Sequence, residues 1–188
     1  MHARQTTVMR MMTNDQELAM AAAAGDGAAF ASLLERHYDR IFAFSFRLTG
    51  SRSEAEELTQ DICLSLPAKM ASYTGRSKVT TWLYRVVVNA AHDRRRKQAR
   101  YGKAAAGWGE WEQNRSSTNA ENAAAVDWLY QAMATLAEPL RDTLSLTLDD
   151  VTHAEAAEIL GVSEGTVSWR VSEAKKALRA LRETEDRI

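Results

Sequence analysis

Four consecutive cations, Arg94, Arg95, Arg96 and Lys97, follow a stretch that presents Arg85, Asn89 and His92 at helical spacing. Guanidinium groups hold phosphate oxygens through paired, charge-assisted hydrogen bonds, so the chemistry on offer is polyanion binding. The alternative is a solvated basic helix end that answers only its own dipole. A second concentration lies towards the C-terminus, where Ser168, Trp169, Ser172, Glu173, Lys175, Lys176 and Arg179 share the outward side of one helix. Its first turn can reach base edges while the later cations meet phosphates, although many helical hairpins bind no DNA. A third face is acidic: Glu57, Gln60 and Asp61, with Leu64 beside them, suit either solubility or the docking of a basic partner. The residues supply no pairing of nucleophile and base, no phosphate loop and no metal cluster, and the four histidines are scattered. Catalysis, a metal and a cofactor are therefore not expected.

Helices must carry all three groups. Val79, Trp82, Leu83, Val86, Val87 and Ala90 recur at three and four, the mark of one buried stripe. Thr81, Arg85, Val88, Asn89 and His92 are left on the other side, and the cation run ends the helix. Trp82 is read as core. Upstream, Asn14 or Asp15 caps a short alanine-rich helix that stops at Gly25. A longer helix from about Gly27 to Thr49 places Phe30, Leu33, Leu34, His37, Tyr38, Ile41, Phe42 and Phe46 on one broad face, with Gly50 as its stop. His37 in that stripe is read as packed and hydrogen-bonded. A third helix, capped by Ser51 or Ser53, buries Ala55, Leu58, Ile62 and Leu66 and leaves the acidic face outside.

After Arg100 the periodicity lapses, and residues 101–121 read as a linker. Helical pattern returns at Ala123 and is interrupted at Pro139. Thr152 to Leu160 then reads as a short helix, Gly161 as a left-handed turn, and Ser163 as the cap of a helix with Val167, Val171, Ala174, Leu178 and Leu181 inside. That is a helix-turn-helix. The small Ala157 permits the close crossing, and Val162 fills the space under the turn.

The 188 residues, 45% apolar with two prolines, suit largely helical structure and one ordinary domain or two small ones. A formal net charge of −1 hides local basic faces. The single cysteine, Cys63, excludes an intrachain disulfide, points to a reducing cytoplasm and reads as a core position. No run is long enough for a membrane span, and residues 1–13 read as a disordered extension.

From about Asn14 to Leu181 the chain resembles bacterial group IV sigma factors, the extracytoplasmic-function type. GDGAAFASLLERHY looks like the family's opening segment and AEELTQDICLSL its helix that docks on the clamp of RNA polymerase. YTGRSKVTTWLYRVVVNAAHDRRR resembles the stretch that handles the minus-ten promoter element, and THAEAAEILGVSEGTVSWRVSEAKKALRAL the domain that reads the minus-thirty-five element. The resemblance implies an all-α fold of two small helical domains: sigma domain 2 over 14–100 and sigma domain 4 over 122–188. Glu57, Gln60, Asp61 and Leu64 would face core polymerase. Arg85, Asn89, His92, Arg94, Arg95, Arg96 and Lys97 would meet the melted minus-ten strand. Ser168, Trp169, Ser172, Glu173, Lys175, Lys176 and Arg179 would read the upstream element. An anti-sigma protein is the implied silencing partner. Departures concentrate in the last helix: Ser168 stands where arginine is common, and Glu173-Ala174-Lys175 where Arg-Ala-Arg is frequent, so Glu173 can specify a cytosine. Arg170 is expected to pair with Glu155. Competing readings are a dimeric helix-turn-helix regulator and a sigma-like adaptor that only sequesters an anti-sigma protein. The sigma reading expects separate positive surfaces on two bodies; burial of the arginines after Asp93 in a permanent self-contact, or the merging of both halves into a single globule with no cleavable connector, would overturn it.

Overall fold

The computed structural model describes residues 14–100, 128–149 and 151–185. Among them every regular element is a helix. The expected N-terminal extension and the 101–121 linker lie outside these residues.

Each boundary has a local cause. Asn14 caps α1 (Asp15–Ala23) by accepting the Gln16 N–H at 3.0 Å. Asp26 caps α2 (Gly27–Thr49) through Ala28 and Ala29, and Gly50, at φ 71°, ends it in the left-handed region that a side chain disfavours. Ser51 caps α3 (Arg52–Met70), which continues past Pro67 for one more turn instead of stopping there. Gly75 then turns the chain (φ 73°) with Met20 Sδ only 3.2 Å from where a Cβ would stand, and α4 (Val79–Arg100) follows. In the second half come α5 (128–134), α6 (Glu138–Thr147), α7 (His153–Leu160) and α8 (Glu164–Glu185).

The buried row of α2 runs through Leu33, His37, Ile41, Phe44 and Leu48. The expected face drifted off this row: Tyr38 is exposed, Phe42 and Phe46 are only half-buried, and the fully enclosed Phe44 does their work. His37 is buried as expected, with Nε2 2.9 Å from Asp15 Oδ2. Burial pulls its pKa down despite the nearby carboxylate, so it packs largely as a neutral ring.

Two separate cores were expected; the structure joins them. Leu146, Ala156, Ala157, Ile159, Val167 and Val171 of the second half belong to one apolar cluster with Leu33, Phe44, Leu83, Val87 and Val88 of the first. A smaller cluster, Ala132, Met133, Leu136, Leu144, Ala174 and Leu178, holds α5, α6 and α8 to one another. Helix α6 packs on α2, and α7 on α4. The second half is thus apolar on two sides, one for itself and one for its neighbour.

Candidate nucleic-acid interface

Helix α4 buries more of its circumference than one stripe. Val79, Leu83, Val86 and Val87 are inside as the spacing predicts, and Trp82 is half-buried with its ring edge-on to Tyr73 at 5.6 Å. Thr81 and Val88, expected on the open side, are also buried. The reason is visible in the hydrogen bonds: Tyr84, Arg85, His92 and Arg95 on that side all bond to residues of the second half.

Those bonds have one polarity. Arg95 donates to both carboxylate oxygens of Asp142 at 2.8 and 2.9 Å and reaches Glu138 at 3.3 Å. His92 Nε2 lies 2.9 Å from Asp142 Oδ2. Arg85 binds Glu158, Lys78 binds Glu155 at 2.8 Å, and Arg47 binds Asp149, whose Oδ2 also accepts the Tyr84 hydroxyl at 2.8 Å. Every base in this set belongs to the first half and every acid to the second. Burial opposes the charge on Asp142, but hydrogen bonds from His92 and Arg95 outweigh it and hold its carboxyl below the usual range. For Tyr84, burial and the bond to Asp149 push the hydroxyl's pKa well up, so it remains a donor.

The cation run itself is divided. Arg94 pairs with Glu57 and approaches Asp61 at 3.8 Å, both on the acidic face of α3. Arg95 is the most enclosed, its side chain 18% exposed. Arg96 pairs along the helix with Asp93 and remains exposed, as do Asn89 and Lys97. Arg94 and Arg95 are thus held in self-contacts but only half-buried, short of the burial that would overturn the sigma reading, and these contacts define a closed arrangement of the chain. Arg47, Tyr84, Asp142 and Asp149 are the residues that the sequence reading missed. The signal for Arg47 was there: an arginine one position before the buried Leu48, in an otherwise apolar part of α2.

The other two faces are solvent-exposed, the acidic one with Arg94 lying against Glu57 and Asp61. On α3, Glu57, Gln60, Asp61 and Leu64 are exposed, Leu64 at 75%. Cys63 between them is half-buried, and burial pushes its thiol up, which removes the low pKa that redox work needs. On α8, Ser168, Trp169, Ser172, Lys175, Lys176 and Arg179 are exposed and Glu173 half-exposed. The helix is aimed by Gly161 at φ 65° and by Ser163, whose hydroxyl accepts the Thr166 N–H at 3.1 Å. His153 Nδ1 lies 3.0 Å from Ser168 Oγ and ties the two helices of the motif. Glu155 does not bind Arg170 as expected. It closes a capping box with Thr152 and bonds Lys78, and these contacts lower its pKa to about 2. Arg170 instead borders a cavity beside His92, Arg95 and Arg96. Among the described residues no cluster of three or more His, Cys, Asp or Glu is placed to hold a metal ion, and no helix is long and apolar enough to cross a membrane.

Fold and faces together define a two-part helical protein built around a helix-turn-helix. Comparison with known proteins narrows this. Residues 33–101 match the model of Sigma-70 region 2, and residues 127–178 that of Sigma-70 region 4. The chain is 33% identical to the extracytoplasmic-function (ECF) RNA polymerase sigma factor SigM of Mycobacterium tuberculosis, over 89% of this chain and 84% of that one. It is 28% identical to ECF RNA polymerase sigma factor SigW of Bacillus subtilis, over 82% and 89% of the two chains. Among solved structures, CnrH in complex with the cytosolic domain of CnrY superposes with a TM-score of 0.66 at 25% identity, over 90% of this chain and 97% of that one. The sigma factor RpoE of Bartonella quintana, in complex with the anti-sigma factor NepR, shares the fold with a TM-score of 0.72 at 23% identity, over 82% and 96%. The chain belongs to the ECF sigma factor family.

Proposed function

We propose that the chain is a dissociable, non-catalytic subunit of bacterial RNA polymerase that binds the core enzyme and directs promoter-specific initiation in the cytoplasm. The observation that carries this is the ordered match of both sigma regions over the two halves, with an aimed and exposed recognition helix in the second. In this reading residues 14–100 form the clamp and minus-ten domain and 122–188 the upstream domain. Glu57, Gln60, Asp61 and Leu64 dock on the clamp, and their exposure supports the assignment. Arg85, Asn89, His92 and Arg94 to Lys97 hold the melted minus-ten strand, where guanidinium groups take the phosphates and a shaped surface takes unstacked bases. Ser168, Trp169, Ser172 and Glu173 stand early enough in α8 to reach base edges, while Lys175, Lys176 and Arg179 follow the backbone. The energy of strand opening comes from binding.

An anti-sigma protein keeps the subunit silent; CnrH, a structural neighbour at 25% identity, was solved in complex with the cytosolic domain of CnrY, and the sigma factor RpoE with the anti-sigma factor NepR. Because Arg85, His92 and Arg95 bond to the second half in the closed arrangement, promoter opening requires the halves to part. Run-off transcription with purified core polymerase over genomic promoter fragments tests the reading. Promoter-dependent transcripts that vanish without the chain are the expected result, and their absence from every fragment would overturn it.

A further inference from the structure

A serine hydroxyl is both donor and acceptor and turns about a single bond, so a lone serine in a groove pairs with any base. Ser168 is not alone. His153 Nδ1 lies 3.0 Å from Ser168 Oγ, which joins the first residue of α7 to the outward side of α8. Imidazole nitrogen is a stronger acceptor than a hydroxyl oxygen, so on a neutral ring Ser168 donates and Nε2 carries the ring hydrogen. With its proton engaged, Ser168 turns only lone pairs outward.

Both ends of this bond are anchored. His153 directly follows the cap Thr152, whose capping box with Glu155 fixes the start of α7, and Glu155 is held in turn by Lys78 at 2.8 Å. Across the turn, Ser163 accepts the Thr166 N–H at 3.1 Å, and the hydroxyls of these two residues lie 2.9 Å apart. Gly161 at φ 65° and the bond from the Val162 N–H to the Ala157 carbonyl, 3.0 Å long, set the angle between the helices. A ring supported in this way fixes the direction of the Ser168 hydroxyl as well as its polarity.

We propose that His153 is a positioning residue for base recognition: by holding the Ser168 hydroxyl as an acceptor, it makes α8 select an amino base, adenine or cytosine, over a keto base, guanine or thymine, on the strand that Ser168 faces. This rests on the proposed assignment of α8 to the upstream element. In the major groove adenine N6 and cytosine N4 are the donors, whereas guanine and thymine present acceptors only. A keto oxygen opposite Ser168 therefore sets two acceptors against each other and leaves both unpaired. The carboxylate of Glu173, half-exposed on the same helix, is likewise acceptor-only, so the two residues make the same demand at two positions. Lys175, Lys176 and Arg179, all exposed, supply phosphate attraction that is indifferent to the base.

The test uses the full chain with core polymerase and a promoter active in run-off transcription, randomised across its upstream element; the bound population is sequenced. Ser168→Ala, at an exposed position, marks which base pair this residue reads. At that pair the wild type should prefer an amino base on one strand by about fivefold, the lower end of what a good base contact discriminates. His153→Ala should erase this preference while the other positions and the salt dependence of binding stay as they were. His153→Asn, whose amide oxygen can accept the Ser168 proton, should restore it, and adding Ser168→Ala to His153→Ala should change nothing further. A wild-type preference for a keto base there overturns the proposal, and so does an unaltered preference in His153→Ala. Selectivity lost at every position would overturn it too, since His153 would then only support the helix pair. If no promoter fragment yields a transcript, the functional reading itself fails; active promoters whose base selection ignores His153 would sink the positioning role alone.

Discussion

Charge placement at single residues decides what α4 can do. Arg94, Arg95 and Arg96 are neighbours in sequence, yet they face three different acids: Glu57 on α3, Asp142 on α6 and Asp93 on their own helix. In the closed chain they are neutralised separately, and in the polymerase complex they would act together. Replacing all three by alanine should lower the slope of log affinity against log salt for promoter DNA, measured with the holoenzyme, by up to about one unit per lost phosphate contact. An unchanged slope would mean that none of them meets a phosphate. Thr152 offers a cleaner local test. Its hydroxyl accepts the Glu155 N–H while the Glu155 carboxylate accepts the Thr152 N–H at 3.0 Å, so Thr152→Ala should lower stability by about 1 kcal/mol in chemical denaturation. The capping box could have been read from Thr152 and Glu155 at their spacing of three. The expected pairing of Glu155 with Arg170 fails because Lys78, which takes the other carboxylate oxygen of Glu155, comes from the other half of the chain, beyond the reach of local spacing.

Elements were legible wherever one local rule governed them. Asn14, Ser51 and Ser163 cap the helices that their types announce, and Gly50 and Gly161 stop theirs at positive φ. The helix-turn-helix, a contiguous pattern of caps and apolar spacing, came through whole. The buried row of α2 did not, because a broad apolar face leaves its exact direction to tertiary packing: Phe44, off the expected face, is the ring that meets Tyr84 at 4.7 Å. Phe44→Ala should therefore cost about 3–5 kcal/mol, the range for emptying an enclosed aromatic site. Phe42→Ala, at a half-buried position, should cost clearly less. Thermal denaturation of both proteins ranks them, and the reverse order would show that the row is misplaced.

At the scale of the whole molecule, the closed arrangement was hidden from sequence because its contacts pair residues far apart in the chain: Arg47 with Asp149 across 102 positions, Arg95 with Asp142 across 47. No periodicity or spacing rule reaches that far, and Val88 and Thr81 were assigned to the open side because nothing local says what covers them. The same contacts give closure a definite response to acid. The carboxyl of Asp142 is held below its ordinary value of 3.8 in the closed chain, and that of Glu155 falls from 4.5 to about 2, first through Lys78 across the junction and further through Thr152 of its own capping box. A depressed carboxyl contributes stability in full above its unperturbed pKa and loses it as pH falls through the lowered one. The contribution of these two carboxyls should therefore be complete above about pH 4.5 and be lost progressively towards about pH 2, in addition to the stability that buried His37, its pKa lowered, withdraws as pH falls below about 6.5. Thermal midpoints across this range should show the decline, and Asp142→Asn, which no longer titrates, should flatten the part that comes from this residue. Should the variant follow the wild-type curve throughout, Asp142 would not be the group that couples closure to protons.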